Sequence, residues 1–575
     1  MRGLTLPAAL DEAAAAHPDV PVTFPSSAER LRLADLAAAT TDLAWALVAE
    51  GVTPGARVGV FSRNNADFLI ALLAVARAGA SACPLPLPTS AAELAGYASR
   101  LDALTTVAGA RRVLVGAGVD GLVRRLAPLL AGRRFLALDG LTSPRGRGTA
   151  LPAVRESDEA IVQFTSGSTA VPKGVVLTHR NVVYGTAAIV DGVALGQPGD
   201  HGATWGPLHH DMGLFGTLAA VLAGVPMTVW APSTFIKDPA RWLRAFADLG
   251  CTCAAAPNFG YDALLAAVAP QDVAAVDLSR WRVAFNGAEP VNPGTVARFT
   301  EHFAAARFAA EAMFPVYGMA EATLAVTFPP LGRAPVTTWV ERDRLARDGV
   351  ARPAPAGAPS ARGLVGLGRP VPGMRLRIVD EHRRAVADGH VGEIEIQGDA
   401  VTSGYLTAAG VPAQPAPADW LPTGDLGFTA AGDLHVSGRR KEMIIVRGVN
   451  YYPEDAEAVV RDAPGVHRRR CVAVAGLDEA GAEALTVLVE THLADPADRV
   501  RLQSELRAAV GRSLGLTDVA VRLVAPDALP RTSSGKFRRG EARDLARAAD
   551  RRRLAGPAAD EARSIPKKVE TDARL

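Results

Sequence analysis

The chain has 575 residues, too many for one hydrophobic core, so two or more domains are expected. Its 62 lysines and arginines nearly balance 60 aspartates and glutamates, which excludes a general electrostatic nucleic-acid binder, and its hydrophobic fraction of 49% is that of an ordinary globular protein. Cys83, Cys251, Cys253 and Cys471 form no CxxC pair and no metal spacing with histidine, and read as reduced thiols of a cytosolic protein.

The N-terminal run is weakly signal-like, but Asp11 and Glu12 cut it too early for export. Leucines and alanines at helical spacing predict a helix over 34–50 that stops at Gly51. Residues 57–61 read as a strand, 65–80 as a helix and 81–85 as the next strand. The apolar run 68–88 contains Arg77 and is punctuated by prolines, so it reads as buried helix and strand, and no membrane span is expected in the chain. A strand at 112–115, a helix at 121–131 and a strand at 135–138 continue the alternation, which predicts parallel sheets covered by helices.

Between strand-like runs at 160–164 and 175–177 stands Thr165-Ser166-Gly167-Ser168-Thr169-Ala170-Val171-Pro172-Lys173-Gly174. Glycines let backbone N–H groups turn toward one point, and hydroxyls and a lysine add donors for phosphate oxygens. It is not a Walker A loop, because Pro172 precedes Lys173 and the glycine follows it. By composition alone a phosphate cradle and a solvated turn both fit.

His209-His210-Asp211-Met212-Gly213 invites a metal reading, but adjacent histidines point apart and too few further ligands follow, so a substrate-pocket histidine suits it better. Tyr317-Gly318-Met319-Ala320-Glu321-Ala322-Thr323 is either a turn into a helix or a ring to lie on adenine beside a carboxylate for Mg2+. Residues 352–361 form a Pro/Ala loop. From 363 to 438 strands become short and close, at 374–379, 392–396 and 434–436, which suggests an antiparallel or barrel-like subdomain. Asp425 in Thr423-Gly424-Asp425-Leu426-Gly427 can be a turn residue or a carboxylate for a ribose diol. Ser437-Gly438-Arg439-Arg440-Lys441-Glu442 is a solvated charge cluster or a hinge. A strand at 443–446, a helix at 452–462, strands at 470–475 and 485–490 and a helix at 498–514 then predict a small α+β domain. Leu529-Pro530-Arg531-Thr532-Ser533-Ser534-Gly535-Lys536 is a linker, or carries a mobile lysine into a site on another domain. Residues 551–575 are charged and aperiodic, and read as a disordered tail.

Taken in this order, the loop at 165–174 and the four later stretches resemble the signature motifs of the adenylate-forming superfamily of acyl-CoA synthetases, firefly luciferases and peptide-synthetase adenylation domains, over about residues 30–540. Within it, the chain looks most like the fatty acyl-AMP ligases. His210-Asp211-Met212-Gly213-Leu214, Ala256-Pro257-Asn258-Phe259 with Tyr261-Asp262, Asn286-Gly287-Ala288-Glu289-Pro290, Glu321-Ala322-Thr323-Leu324 and residues 447–455 carry that likeness, and an extra insertion is expected around 328–366. Ala170, Tyr451 and Gly260 depart from the usual glycine, histidine and alanine.

The resemblance implies an α/β protein. A large N-terminal domain, 1–438, has two parallel-type subdomains and a small barrel-like one; a hinge at 439–441 leads to a mobile α+β lid at 442–550. It implies that a fatty or related carboxylic acid reacts with ATP, with Mg2+, to acyl-AMP, and that the acyl group then passes to an acyl carrier protein of a polyketide or peptide synthase, or alternatively to free CoA. Thr165, Ser166, Gly167, Ser168, Thr169 and Lys173 would grip the triphosphate. Gly287, Ala288, Glu289, Tyr317, Gly318 and Met319 would frame adenine, and Asp425 and Arg439 would hold ribose. Glu321 would bind Mg2+, Lys536 would serve the chemical step with His210 beside the acyl carboxylate, and Lys441 would be the hinge. His210, Asp211, Met212, Asn258, Phe259 and Gly260 would line the acyl pocket.

Overall fold

The computed structural model describes residues 1–88, 94–142, 150–165, 173–407, 419–447, 449–477, 483–531 and 537–554, with backbone alone over 549–554. Two seven-stranded sheets take their strands from residues 21–315 and from Gly404–Leu406. One runs Met313–Pro315, Val283–Asn286, Cys253–Ala256, Gly202–Thr204, Met227–Val229, Pro21–Phe24 and Glu29–Arg32, parallel at every pair but the last. The other runs Gly404–Leu406, Lys173–Thr178, Glu159–Thr165, Ser81–Pro84, Arg57–Phe61, Arg112–Val115 and Arg134–Ala137.

In the second sheet the strands flanking the glycine-rich loop pair antiparallel, Thr165 opposite Lys173. Only residues 166–172 join them, whereas a parallel pair needs a crossover of about a dozen residues or more. The remaining pairs of this sheet, from Glu159–Thr165 to Arg134–Ala137, are parallel, as the helix–strand alternation requires. The intervening helix Ala66–Arg77 starts where the Asn65 side chain accepts from the Phe68 N–H, and it buries nine residues between the sheets. The N-terminal run is helix Leu6–Ala16, whose Leu6 and Leu10 are fully buried in the same core. The four cysteines are buried free thiols.

A four-stranded antiparallel sheet follows: Met374–Val379, Gly392–Gly398, Leu421–Ala430 and Asp433–Arg439. The stretch before it forms a strand pair, Thr337–Glu341 with Ala361–Val365, and the helix Arg342–Asp348. Two arginines of this stretch reach across to the C-terminal residues. Arg342 donates to the Ser513 carbonyl at 2.6 Å, and buried Arg362 pairs with Asp455 at 2.9 Å with its guanidinium over the Tyr452 ring.

After the turn Arg440–Glu442, a separate apolar cluster runs from Ile444 to Val521. It lies between the sheet Cys471–Leu477, Glu483–Glu490 and Val519–Val524 and the helices Pro453–Val460 and Pro496–Leu514. Asp495 caps the longer helix by accepting from Ala497 and Asp498, and Gly515 closes it in the left-handed region at φ 60°. The last helix, Arg539–Leu554, seats Ala542 and Ala546 against Val472, Val474 and Leu529. It runs past residue 550, where composition alone places the start of the tail; the rest of 551–575 lies outside the described residues.

Candidate active site

A cleft of about 2950 Å³ opens between the two large sheets and the C-terminal residues. At one end it meets Thr165 and Lys173, the residues at the base of the glycine-rich hairpin. Ser166, Gly167, Ser168 and Thr169 lie outside the described residues, as does Lys536. The Lys173 ammonium sits 5.7 Å from the centre of the Tyr405 ring, and the Tyr405 hydroxyl donates to Glu321 Oε1 at 3.0 Å. Glu321 is held to the stretch 402–405 at both its side chain and its backbone, for its backbone carbonyl also accepts from the Thr402 N–H at 2.7 Å. Burial pushes its carboxyl above the usual range.

Next along the cleft, Tyr317, Asp425 and Arg439 form one unit. The buried Tyr317 hydroxyl donates to Asp425 Oδ2 and Arg439 Nε donates to Asp425 Oδ1, both at 2.7 Å. Asp425 and Arg439 are direct cross-strand neighbours, so the hairpin Leu421–Arg439 sets their meeting. Burial and then the Asp425 charge raise the Tyr317 phenol well above its usual value, so it remains a donor. Gly318 and Met319 follow on the same wall.

The loop Gly287-Ala288-Glu289 also lines the cleft, with Ala288 in the left-handed region at φ 68°. Two braces hold that backbone. Asn258 donates to the Pro290 carbonyl at 2.8 Å and accepts from the Asn292 N–H at 3.0 Å, and Glu289 Oε1 accepts from the Phe259 N–H at 3.2 Å. The polar atoms of Asn258 are thus directed to the loop, although the residue also lies on the cleft wall.

Elsewhere on the cleft wall, the helix Asp211–Leu222 begins with Asp211 in its first turn, where a carboxylate suits the positive end of the helix dipole. Asp211 Oδ1 lies 2.6 Å from His210 Nδ1 and accepts from the Met212 N–H at 2.7 Å. His209 is partly buried on the cleft wall, and desolvation, with the neighbouring His210 adding to it, lowers its imidazole to about 3, so it stays neutral near neutral pH. Gln163, on the strand before the glycine-rich loop, donates to the His209 carbonyl at 2.8 Å. Trp205 stacks on Phe235 with ring centres 4.0 Å apart and meets Phe259 edge-on. Gly260 is not on the cleft wall; a Cβ there would come within 2.9 Å of the Ala256 Cβ and 3.1 Å of the Trp205 ring. Lys441 sits in the turn Arg440–Glu442 at the cleft edge.

Every other described residue expected in the site meets this one cleft. Tyr405, Gln163 and Trp205 were not expected there. Tyr405 reaches Glu321 over 84 residues of chain and Gln163 reaches His209 over 46, so no local pattern marks them.

The sequence profile of AMP-binding enzymes matches residues 10–406. The chain belongs to this family. AMP-binding enzymes that resemble it include a Caulobacter vibrioides protein provisionally named an acyl-CoA synthetase, 32% identical over 521 residues and 90% of each chain. The long-chain-fatty-acid–AMP ligase FadD26 of Mycobacterium bovis is 33% identical over 84% of this chain and 86% of its own. Among solved structures, a fatty acyl-adenylate ligase from work on the E. coli and L. pneumophila enzymes superimposes with a TM-score of 0.86 at 30% identity, covering 95% of this chain and 98% of that one.

In this AMP-binding enzyme the C-terminal residues close one side of the cleft through a charged contact. Arg469 donates to Asp262 Oδ1 at 3.0 Å, and Asp262 lies on the helix Asn258–Ala267, which also carries Asn258 and Phe259 on the cleft wall. Asp262 also accepts from Thr295 at 3.0 Å and Arg298 at 3.2 Å, while Arg469 also pairs with Asp462 at 2.9 Å.

Proposed function

We propose that this enzyme activates a fatty acid with ATP and then passes the acyl group to the phosphopantetheine thiol of an acyl carrier protein. A carboxylate oxygen attacks the α-phosphorus, the α–β phosphoanhydride bond breaks, and acyl-AMP and pyrophosphate form. The thiol then attacks the acyl carbonyl and AMP leaves. The observation that carries the reading is one cleft that joins the Tyr317–Asp425–Arg439 unit to an apolar wall of Trp205, Phe235 and Phe259.

No covalent enzyme intermediate is required, so catalysis consists of positioning and charge stabilisation. Asp425, held by Tyr317 and Arg439, accepts from the ribose hydroxyls. Thr165 and Lys173 take part in gripping the phosphates. His210, oriented by Asp211, faces the acyl carboxylate. Lys441 is the hinge about which residues 442–550 turn between the two half-reactions.

Glu321 fits Mg2+ by donor chemistry, since Mg2+ keeps several waters and takes one or two carboxylates together with substrate phosphates. When bound, the ion would neutralise phosphate charge. Because burial raises the Glu321 carboxyl, it protonates at higher pH than an ordinary glutamate, and its anionic form is lost as pH falls through that raised value. Protons are therefore expected to compete with Mg2+ for this carboxylate at pH values above the ordinary glutamate value of about 4.3, which weakens Mg2+ binding as pH falls. Glu321→Gln is expected to lower the rate about 100-fold. A variant with wild-type rate and the same dependence on Mg2+ concentration would remove Glu321 from this role.

The reading is tested by incubating the protein with ATP, Mg2+ and a fatty-acid panel and detecting acyl-AMP by mass spectrometry, then adding either CoA or a phosphopantetheinylated carrier. Thioester made on carrier well ahead of CoA is expected. Equal rates on CoA would assign an acyl-CoA synthetase. The buried free thiols suit the cytosol, and no described helix is long and apolar enough to cross a membrane.

A further inference from the structure

Two glycines stand one turn apart on the helix Asp211–Leu222, and only one is explained by packing. At Gly213 a Cβ would lie 2.4 Å from the Pro207 carbonyl oxygen, so the helix could not approach that loop with any side chain there. At Gly216 a Cβ would meet nothing within 4 Å. Gly216 is not among the glycines with positive φ, and it lies between the buried residues Phe215 and Thr217. Nothing in the fold asks for glycine at this position, and glycine inside a helix is less stable than alanine. The missing side chain leaves space, and that space is the cleft, whose wall Gly216 forms.

Gly216 shares a helix face with Met212 and Ala220, four residues to either side, and all three meet the cleft. At about 1.5 Å per residue this face leads roughly 13 Å inward from Asp211 to Ala220, with Gly216 about midway. Ala203 and Ala254 on the neighbouring strands also meet the cleft. The inner end is apolar: a Cβ at Gly202 would be 2.8 Å from Met227 Sδ and 3.3 Å from the Ala220 Cβ, which places these three side by side beneath the helix. Ile189, Val193 and Phe328 also line the cleft, and none of these residues carries a charge.

We propose that Gly216 is the specificity-determining residue for acyl length: a long aliphatic chain runs along the helix face, passes Gly216 and ends against Met227. This rests on the ligase reading above. The carboxylate stays at His210, and the chain lies in the space a side chain at 216 would fill.

The test measures acyl-AMP formation from saturated acids between butanoate and palmitate by the parent, Gly216→Ala and Gly216→Phe, with thermal melting of each. The palmitate-to-butanoate rate ratio is expected to fall roughly 10- to 200-fold in Gly216→Phe, and by less in Gly216→Ala. The alanine variant is expected to melt no lower than the parent, since it improves the helix. If the phenylalanine variant does not fold, the alanine ratio decides. An active parent with an unchanged ratio in the folded variants overturns the role of Gly216. A parent that makes no acyl-AMP from any of the acids overturns the ligase reading instead.

Discussion

Lys536→Ala is expected to lower acyl-AMP formation roughly 100- to 1,000-fold, a loss of about 3–4 kcal/mol of transition-state stabilisation, while ATP still binds. The reaction develops charge on the α-phosphate as a carboxylate approaches it, two anionic groups that need a shared cation. In the resemblance to adenylate-forming enzymes Lys536 is that cation. The chain on both sides of it is tied to the cleft. Arg531 and Phe537 form an antiparallel bridge, the Arg538 N–H donates to the Pro530 carbonyl at 2.9 Å, and all four residues meet the cleft. The segment that carries the lysine therefore starts and ends at the site. Pyrophosphate release separates the outcomes: a loss with nucleotide binding retained supports the role, and unchanged release removes it.

The second large effect is expected at Arg539, three residues further on. Its guanidinium pairs with Glu442 at 3.0 Å, with Glu454 at 3.1 Å and with Glu457. Glu457 also accepts from the Ala473 N–H, so the cluster joins the turn after Arg439, the helix Pro453–Val460, the sheet and the last helix. Arg539→Ala leaves buried carboxylates without their cation. Breaking one side of such a buried set costs about 3–5 kcal/mol. That destabilisation is expected to be local. All seven tryptophans precede residue 421, so their fluorescence reports on the part of the chain before the C-terminal elements, whereas far-ultraviolet circular dichroism reports on the whole chain. The variant is expected to show a new early transition in circular dichroism with the tryptophan transition unmoved. Coincident, unshifted transitions would mean that Arg539 does not hold these elements together.

Much of the element order was legible because it is written in local pattern. The strands at 112–115 and 374–379 lie where their apolar residues put them, and the helix ending at Leu514 stops where Gly515 stops it. Helix Leu6–Ala16 was obscured because a short apolar run after Met1 reads the same way in a leader and in a buried helix. The direction of the strands around residues 166–172 is legible after the fact from loop length, whereas the alternation of helices and strands suggested parallel pairing throughout.

The site divides in the same way. Asp425 and Arg439 sit on one hairpin and could be linked from sequence, while the Tyr317 hydroxyl reaches Asp425 over 108 residues and no periodicity carries that distance. Asn258 shows the limit of motif reading. Its place on the cleft follows from the motif, but the direction of its amide toward Pro290 and Asn292 depends on a loop more than thirty residues away.

The contact between Arg469 and Asp262 is made from two groups that each keep another partner. Were the C-terminal residues to draw away, Asp262 would retain Thr295 and Arg298, and Arg469 would retain Asp462. Separation there is an exchange and not a rupture: neither an acid nor a base is stranded in a dry place, where the penalty would be several kcal/mol. This one contact can hold a posture without making departure from it steep. A fastening of that kind would let the same few arginines and aspartates serve both ends of the hinge motion proposed above.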